Sequence, residues 1–385
     1  MEVYKFGGSL LSEAKKMLQI KKNIEKVNEC AIVLSAIGKR NDSDVKLTDM
    51  LIDLCRYKNS KEKNKIKAQL DAMERKIFDI SNELNIGNEI SDEFDFFIKN
   101  IENYTDDLII SRGEYFTCQI FSALTKIELI DSANLIKFEG NIFSYEKTKE
   151  KAMKLYNKKF ITCGFYGSNE TGAIRLFPRG GGDITGAILA SIYNSKYYYN
   201  CTDVNGIYSA PPDYCNNNNT IKNLSYGQLY VLAYGGLNVF CKDAIRYLIN
   251  KKITLIITNG LNFDTPRTIV TDDKPVDRVS SVQIIKNVNI SSFKKTENLS
   301  YFRIIYRIID SFMSNKIRII YFFNNLVENK IELAYKDSTI KNKRHFNNVI
   351  LIKNTVWKNG VKTVRCKRIN GAATRNQIKT IAAPV

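Results

Sequence analysis

Lys5 closes a short apolar stretch, Val3-Tyr4-Lys5-Phe6, and Gly7-Gly8-Ser9 follow it at once. This order of strand, paired glycines, hydroxyl and helix suits a polyphosphate. Glycines let backbone N–H groups approach anionic oxygens with no Cβ in the way. A helix N-terminus adds partial positive charge, and a lysine supplies a compact full charge. The spacing is neither that of a Walker A loop nor Gly-x-Gly-x-x-Gly. A second turn is denser: Pro178-Arg179-Gly180-Gly181-Gly182-Asp183, with small and apolar helix residues from Thr185 onward. Three glycines between an arginine and an aspartate make a second anion cradle. The chain has a single histidine, His345, in a basic run after Lys341-Asn342-Lys343-Arg344. That argues against Ser-His-Asp and Cys-His nucleophilic sites. The chemistry is left to Lys, Arg, Asp, Glu and a metal ion.

The elements that must hold these turns alternate between strand and helix. Ser12 to Val27 reads as an amphipathic helix. Ala31 to Ala36 is a continuous apolar run of the kind found in buried parallel strands. Leu47, Met50, Leu51 and Leu54 fall at helical spacing, which puts Thr48-Asp49 at a helix start. Residues 59 to 105 read as a charged helical excursion. Ser111-Arg112-Gly113-Glu114 is expected to open a helix carrying Phe116, Ile120 and Leu124. Phe160 to Cys163 is a strand leading into Gly164-Phe165-Tyr166-Gly167. Lys196 to Cys201 is another, ending at Thr202-Asp203-Val204-Asn205-Gly206-Ile207-Tyr208. Ligands gather at such strand ends in open α/β sheets. Two helices, about 225–234 and 241–251, precede a strand from Ile253 to Thr258. Strand and helix alternate throughout, so the first 270 residues or so form an α/β unit around a mostly parallel sheet.

The composition shifts near Asp272 to Pro275. Beyond it the pattern predicts strand (Val282 to Val288), helix (Tyr301 to Asn315) and two strands (Ile317 to Phe323, Lys330 to Ala334), a small α+β unit. From Ser338 the tail is basic and less regular. The chain has 385 residues, enough for two or three domains, and 44% of them are hydrophobic. Its eight cysteines are scattered, with no Cys-x-x-Cys pair, as expected of reduced structural thiols. There is no bilayer-spanning apolar run and no signal-peptide pattern, so a cytoplasmic protein is expected. The formal charge of +18 is spread over dispersed lysines. No nucleic-acid motif accompanies it.

Taken in order, these motifs resemble aspartate kinase, within the amino-acid kinase superfamily. The resemblance spans about residues 1 to 270. It rests on Lys5-Phe6-Gly7-Gly8-Ser9, on Ser35-Ala36 with Thr48-Asp49, and on Arg112-Gly113-Glu114. It rests also on Gly164-Phe165-Tyr166-Gly167, Arg179-Gly180-Gly181-Gly182-Asp183 and Thr202-Asp203-Val204-Asn205-Gly206. Gly38-Lys39-Arg40 and Asp183-Ile184-Thr185-Gly186 look like the type found in clostridia and related bacteria. The resemblance implies a three-layer αβα kinase fold over 1–272. It also implies a degenerate ACT-like regulatory domain over 273–345. The basic segment 346–385 would be the remnant of a second ACT unit. The implied reaction is ATP-dependent phosphorylation of the β-carboxylate of L-aspartate, with Mg²⁺. Aspartate is already ionised at neutral pH, so its carboxylate needs no general base. The enzyme must bring two anions together and stabilise the transferring phosphoryl group.

In these terms Lys5 and Asp183 are the catalytic pair, Asp183 orienting Lys5 or organising the metal. Thr48, Glu114 and Arg179 bind the acceptor, Glu114 at the α-ammonium and Arg179 at a carboxylate. Gly7, Gly8, Ser9, Thr202, Asp203 and Tyr208 contact the nucleotide. An amino-acid effector at the ACT-like region and a homodimer are further implications. The chain departs from the family pattern at Gly182 (usually Ser), at Pro211-Pro212-Asp213 (usually Asp-Pro-Arg) and at Cys241 (usually His). Asn238 stands where Lys or Ser is frequent. Two other readings stay open: a related kinase for a different acid, and a catalytically impaired regulatory or binding subunit.

Overall fold

The structure, a computed structural model, describes residues 1–209 and 219–272 except 235, 236, 238 and 266, and the backbone of six later strands. The elements β1 (Glu2–Phe6), a 3-10 turn (Gly8–Leu11), α1 (Ala14–Glu25), β2 (Cys30–Leu34), α2 (Leu47–Asn59), α3 (Lys63–Glu83), α4 (Asn88–Asn100) and α5 (Asp106–Thr125) come first. Next are β3 (Leu129–Ile130), α6 (Ser132–Leu135), the hairpin of β4 (Phe138–Glu139) and β5 (Ile142–Phe143), and α7 (Tyr145–Met153). The chain continues through β6 (Phe160–Cys163), the hairpin of β7 (Tyr166–Ser168) and β8 (Ile174–Leu176), and α8 (Gly181–Ile192). Then follow β9 (Tyr197–Thr202), β10 (Asn223–Ser225), α9 (Tyr226–Tyr234), α10 (Ile245–Ile249), β11 (Thr254–Asn259) and β12 (Thr268–Thr271).

Eight strands form one sheet in the order β10-β12-β11-β9-β1-β2-β6-β3, parallel except where β12 meets β11. Every residue of β2 is buried, because a strand in a sheet covered on both faces has no wet side. On one face Tyr4, Phe6, Ile32 and Leu34 pack with Met17 and Ile20 of α1 and Phe116 and Ile120 of α5. On the other face α8 crosses β1, β2 and β9. The strand order reverses at β1, with β2 on one side and β9 on the other. Such a switch point leaves a crevice beyond the carboxyl ends of the strands.

One expected boundary is corrected. The run Ser111 to Glu114 lies inside α5 rather than opening it. Thr105 caps that helix, its hydroxyl accepting from the Leu108 N–H at 3.3 Å, and Asp106 and Asp107 occupy the favourable first turn. Ser111 donates its hydroxyl back to the Leu108 carbonyl at 2.7 Å, the alternative open to a mid-helix serine.

Beyond residue 272 the strands are β13 (Val279–Ile285), β14 (Asn289–Lys294), β15 (Arg318–Asn325), β16 (Lys330–Lys336), β17 (Val349–Lys358) and β18 (Val361–Asn370). They form two antiparallel sheets, β13-β17-β18 and β14-β16-β15. Of the strand expected over Val282 to Val288, residues 282–285 lie in β13, and 286–288 lie outside the described residues. The tail read as less regular contains the antiparallel strands β17 and β18. The helix expected over 301–315, His345, Asn238 and Pro211-Pro212-Asp213 lie outside the described residues. The chain divides into two compact units: Met1–Ile207, Thr220–Ala233 and Asn238–Pro275 form one, and Tyr208–Asn219, Tyr234–Leu237 and Val276–Val385 the other. Among the described residues no helix is long and apolar enough to cross a membrane.

Candidate active site

Lys5 sits one residue before the end of the central strand. Its register partners are Val33 on β2 and Asn200 on β9. Residues level with one another on neighbouring strands point to the same face. Here Lys5 and Asn200 both meet α8, whose first turn carries Asp183. The Lys5 ammonium lies 2.8 Å from Asp183 Oδ1, with both side chains largely buried. Asn200 donates Nδ2–H to the same oxygen at 3.2 Å, and the Cys241 backbone N–H donates to Oδ2 at 2.9 Å. The carboxylate is thus held by a cation, an amide and a main-chain donor.

The two glycine turns flank this pair. Gly8 lies against the end of β2: its carbonyl accepts from the Gly38 N–H at 2.9 Å, and a Cβ on it would stand 2.5 Å from the Ala36 oxygen. Only glycine lets the two backbones approach this far. The Gly7 N–H donates to the Cys201 carbonyl at 3.1 Å, so this amide ties β1 to β9. Ser9 is half-buried in the 3-10 turn, and its carbonyl accepts from the Ser12 hydroxyl at 2.9 Å. Gly180 precedes α8 with φ 89°, the left-handed backbone that starts the helix abruptly. A side chain at Gly182 would enter the space between the Ser35 hydroxyl, 3.0 Å from its Cβ, and Lys5 Cε, 3.3 Å away.

Glu114 is fully buried on α5, and its Oε2 has no hydrogen-bond partner. Burial pushes its carboxyl up to about 8, against smaller opposing effects from the Ala36 amide and the Lys5 charge. A buried carboxyl group with one unpartnered oxygen, near the Lys5 charge, is what an incoming ammonium would need. Thr48 is half-buried in the first turn of α2, which is tied to the end of β2 by the Leu47 N–H donating to the Ile37 carbonyl at 3.0 Å. Arg179 is 93% exposed, and its guanidinium lies 3.7 Å from Asp49, next to Thr48. Thr202 ends β9 and donates its hydroxyl to Asp203 at 3.1 Å. Tyr208 falls in the second unit.

Sequence reasoning passed over Asn200 and the Cys241 amide. The signal for Asn200 was present: one amide side chain within the apolar and aromatic run Tyr197 to Cys201. The signal for the Cys241 N–H was not, since a main-chain donor has no residue type. Among the described residues, no three His, Cys, Asp or Glu side chains group to hold a metal. That donor set does not fit a resident ion. A divalent cation would enter on the phosphates of a nucleotide, as Mg²⁺ commonly does.

The amino acid kinase family model matches residues 1–259. Aspartokinase 3 of Bacillus subtilis is 27% identical over 338 residues, which are 80% of this chain and 73% of that protein. The crystal structure of Clostridium acetobutylicum aspartate kinase is similar at TM-score 0.76 and 27% identity, over 94% of this chain and 87% of that one. Escherichia coli aspartokinase III in complex with aspartate and ADP shares the fold at TM-score 0.73 and 17% identity, over 92% of this chain and 87% of that one. With its eight-stranded, mostly parallel sheet between helical layers and its matched residues 1–259, this chain belongs to the amino acid kinase family.

Proposed function

We propose that this chain is an aspartate kinase. It transfers the γ-phosphoryl group of ATP to the β-carboxylate of L-aspartate, the first step of the aspartate-family amino-acid pathway to lysine, threonine and methionine. A carboxylate oxygen attacks the γ-phosphorus, the bond to the bridging oxygen breaks, and ADP leaves with that electron pair. The products are β-aspartyl phosphate and ADP. The observation that carries this reading is the buried Lys5–Asp183 pair at the strand switch point, 2.8 Å apart. Asp183 holds the Lys5 ammonium where charge develops on the phosphoryl oxygens. Glu114 takes the α-ammonium of aspartate, and Thr48 and Arg179 take its carboxylates, Arg179 moving in from solvent to do so. The turn at Gly7, Gly8 and Ser9, with Thr202 and Asp203, receives the nucleotide, and Mg²⁺ travels with it as part of MgATP.

We assign 1–272 to the kinase domain and 273–345 to an ACT-like regulatory domain, with strands of the basic segment 346–385 completing its β13-β17-β18 sheet. An amino-acid effector there and a homodimer complete this reading, with the cytoplasm as its place of work. The test is hydroxylamine trapping of the acyl phosphate. Aspartate and MgATP together should give the hydroxamate, and Lys5→Met should lower its rate by about 10³-fold, the scale for removing a group that stabilises developing charge. No hydroxamate above the Lys5→Met background sinks the proposal. One observation favours a second reading. Gly182 stands where the resembled family usually has Ser, so the hydroxyl expected beside Ser35 and Lys5 is missing, which suits an acceptor of different shape. A panel of amino acids decides it: an acid faster than aspartate replaces the first reading, and aspartate as clear winner removes the second.

A further inference from the structure

Asn200 is 1% exposed in the middle of a strand whose neighbours on both sides belong to the sheet interior. A buried amide there is a cost to the fold unless its donors and acceptor are satisfied. An apolar residue of the same shape would fill the position without that cost. Nδ2–H of Asn200 is aimed at Asp183 Oδ1, 3.2 Å away, the same oxygen that meets Lys5 at 2.8 Å. An ionised carboxylate only accepts, so the amide faces it with its nitrogen. Asn200 is also level with Lys5 in the sheet register, and the Cys241 N–H seats the other oxygen at 2.9 Å. The Tyr198 hydroxyl, two residues earlier on the same face, donates to the Asp183 carbonyl at 3.3 Å. Among the described residues, the charged and titratable groups facing Asp183 are the Lys5 ammonium on β1, the Tyr198 hydroxyl on β9 and the Cys241 thiol ahead of α10.

We propose that Asn200 is a positioning residue for phosphoryl transfer. It fixes the Asp183 carboxylate so that the Lys5 ammonium stays free to turn toward the transferring group. This rests on the kinase reading above. When Lys5 engages phosphoryl oxygens it gives up part of its pairing with Asp183. A carboxylate with no other side-chain donor follows the ammonium or draws it back. Held by Asn200 and by the Cys241 N–H, Asp183 keeps one rotamer through the cycle, and Lys5 moves against a fixed partner. The gain belongs to the chemical step, so its loss falls on kcat and not on substrate affinity.

The experiment compares wild type with Asn200→Leu and Asn200→Asp by hydroxamate formation across pH 5.5–9. Asn200→Leu keeps the shape and removes the donor. It is expected to lower kcat about 10- to 100-fold while both KM values stay within about threefold. Asn200→Asp places a second carboxyl group beside Asp183, and two such groups share a proton. Its protonated form donates as the amide did, so this variant is expected to approach wild type at the acid end and to fall away as pH rises. Asn200→Leu falls short at every pH. A role in folding alone moves thermal stability and not this profile.

An Asn200→Leu enzyme within twofold of wild type in kcat overturns the proposal. So does a loss carried by KM, or an Asn200→Asp profile parallel to wild type. If wild type itself gives no hydroxamate, the kinase reading has failed, and the positioning claim is decided separately. The ammonium signal of ¹⁵N-labelled Lys5, assigned with Lys5→Met, should be sharp in the unliganded protein and lost in Asn200→Leu. An unchanged signal there overturns the proposal.

Discussion

At the scale of single residues the site is governed by what burial does to charge. Glu114 has its ordinary value of 4.5 raised to about 8, first by desolvation. Between those two values the folded protein keeps a proton that the unfolded chain has lost, so stability falls as pH rises through this window and levels off above it. Glu114→Gln removes that dependence. It should be more stable than wild type without ligands, by a margin that is nil near pH 4 and grows until about pH 8, as read by thermal unfolding across pH. A constant difference between the two proteins would contradict this. The same substitution should lower kcat/KM for aspartate by about 10²-fold or more, because an ammonium left without its carboxylate partner is costly. Glu114 is thus stored in an unfavourable state that the proposed substrate relieves.

At the scale of elements the question is what holds the loop between β2 and α2, which leads to Thr48. Asp44 in that loop accepts from the buried Lys76 of α3 at 2.6 Å and from the Arg40 N–H at 2.9 Å. Arg40 also reaches Asp79 of α3 at 3.1 Å. Burial pushes the Asp44 carboxyl up, but the Lys76 ammonium and the Arg40 and Val45 N–H groups outweigh it and leave the carboxyl well below the usual range. Stability from a lowered carboxyl is full above its unfolded value and is lost as pH falls below it. Asp44→Asn should therefore cost about 1–3 kcal/mol at pH 7, the scale of a charge-assisted hydrogen bond. The difference should shrink below about pH 4. A raised KM for aspartate with kcat nearly unchanged would accompany it, since the α2 corner carries Thr48 and lies beside Arg179. The helical excursion α3 is in this sense the wall against which the loop between β2 and α2 is braced.

At the scale of the whole molecule, two compact units predict that unfolding is not a single cooperative event. The unit with Lys5 should gain about 2.7 kcal/mol at ligand concentrations of 100 Kd. MgATP with aspartate should then raise one calorimetric transition and leave another in place. One transition that shifts as a whole would speak against separate units. The charge of +18 does not select a site by itself. The two cations of the proposed site are Lys5, held by Asp183, and Arg179, exposed beside Asp49.

The amino-acid sequence determined the alternation of buried strands and amphipathic helices up to about residue 270. Continuous apolar runs such as Cys30 to Leu34 and helical spacing such as Leu47 to Leu54 are local patterns that burial enforces. It also determined both glycine turns. It did not determine where α5 starts, because Thr105 and Ser111 are both plausible caps and only the packing of Ile109 and Phe116 chooses between them. It did not make the pairing of β17 with β18 plain, because their alternation is crowded by basic residues. Tertiary structure alone decided that Lys5, Asn200 and Asp183 meet. They lie far apart in the chain, and sheet register together with the seat of α8 across β1 and β9 brings them within hydrogen-bonding distance. Tertiary structure also decided that Glu114 is dry enough to hold its proton. Register and desolvation are properties of the assembled sheet, and no local stretch of residues encodes them.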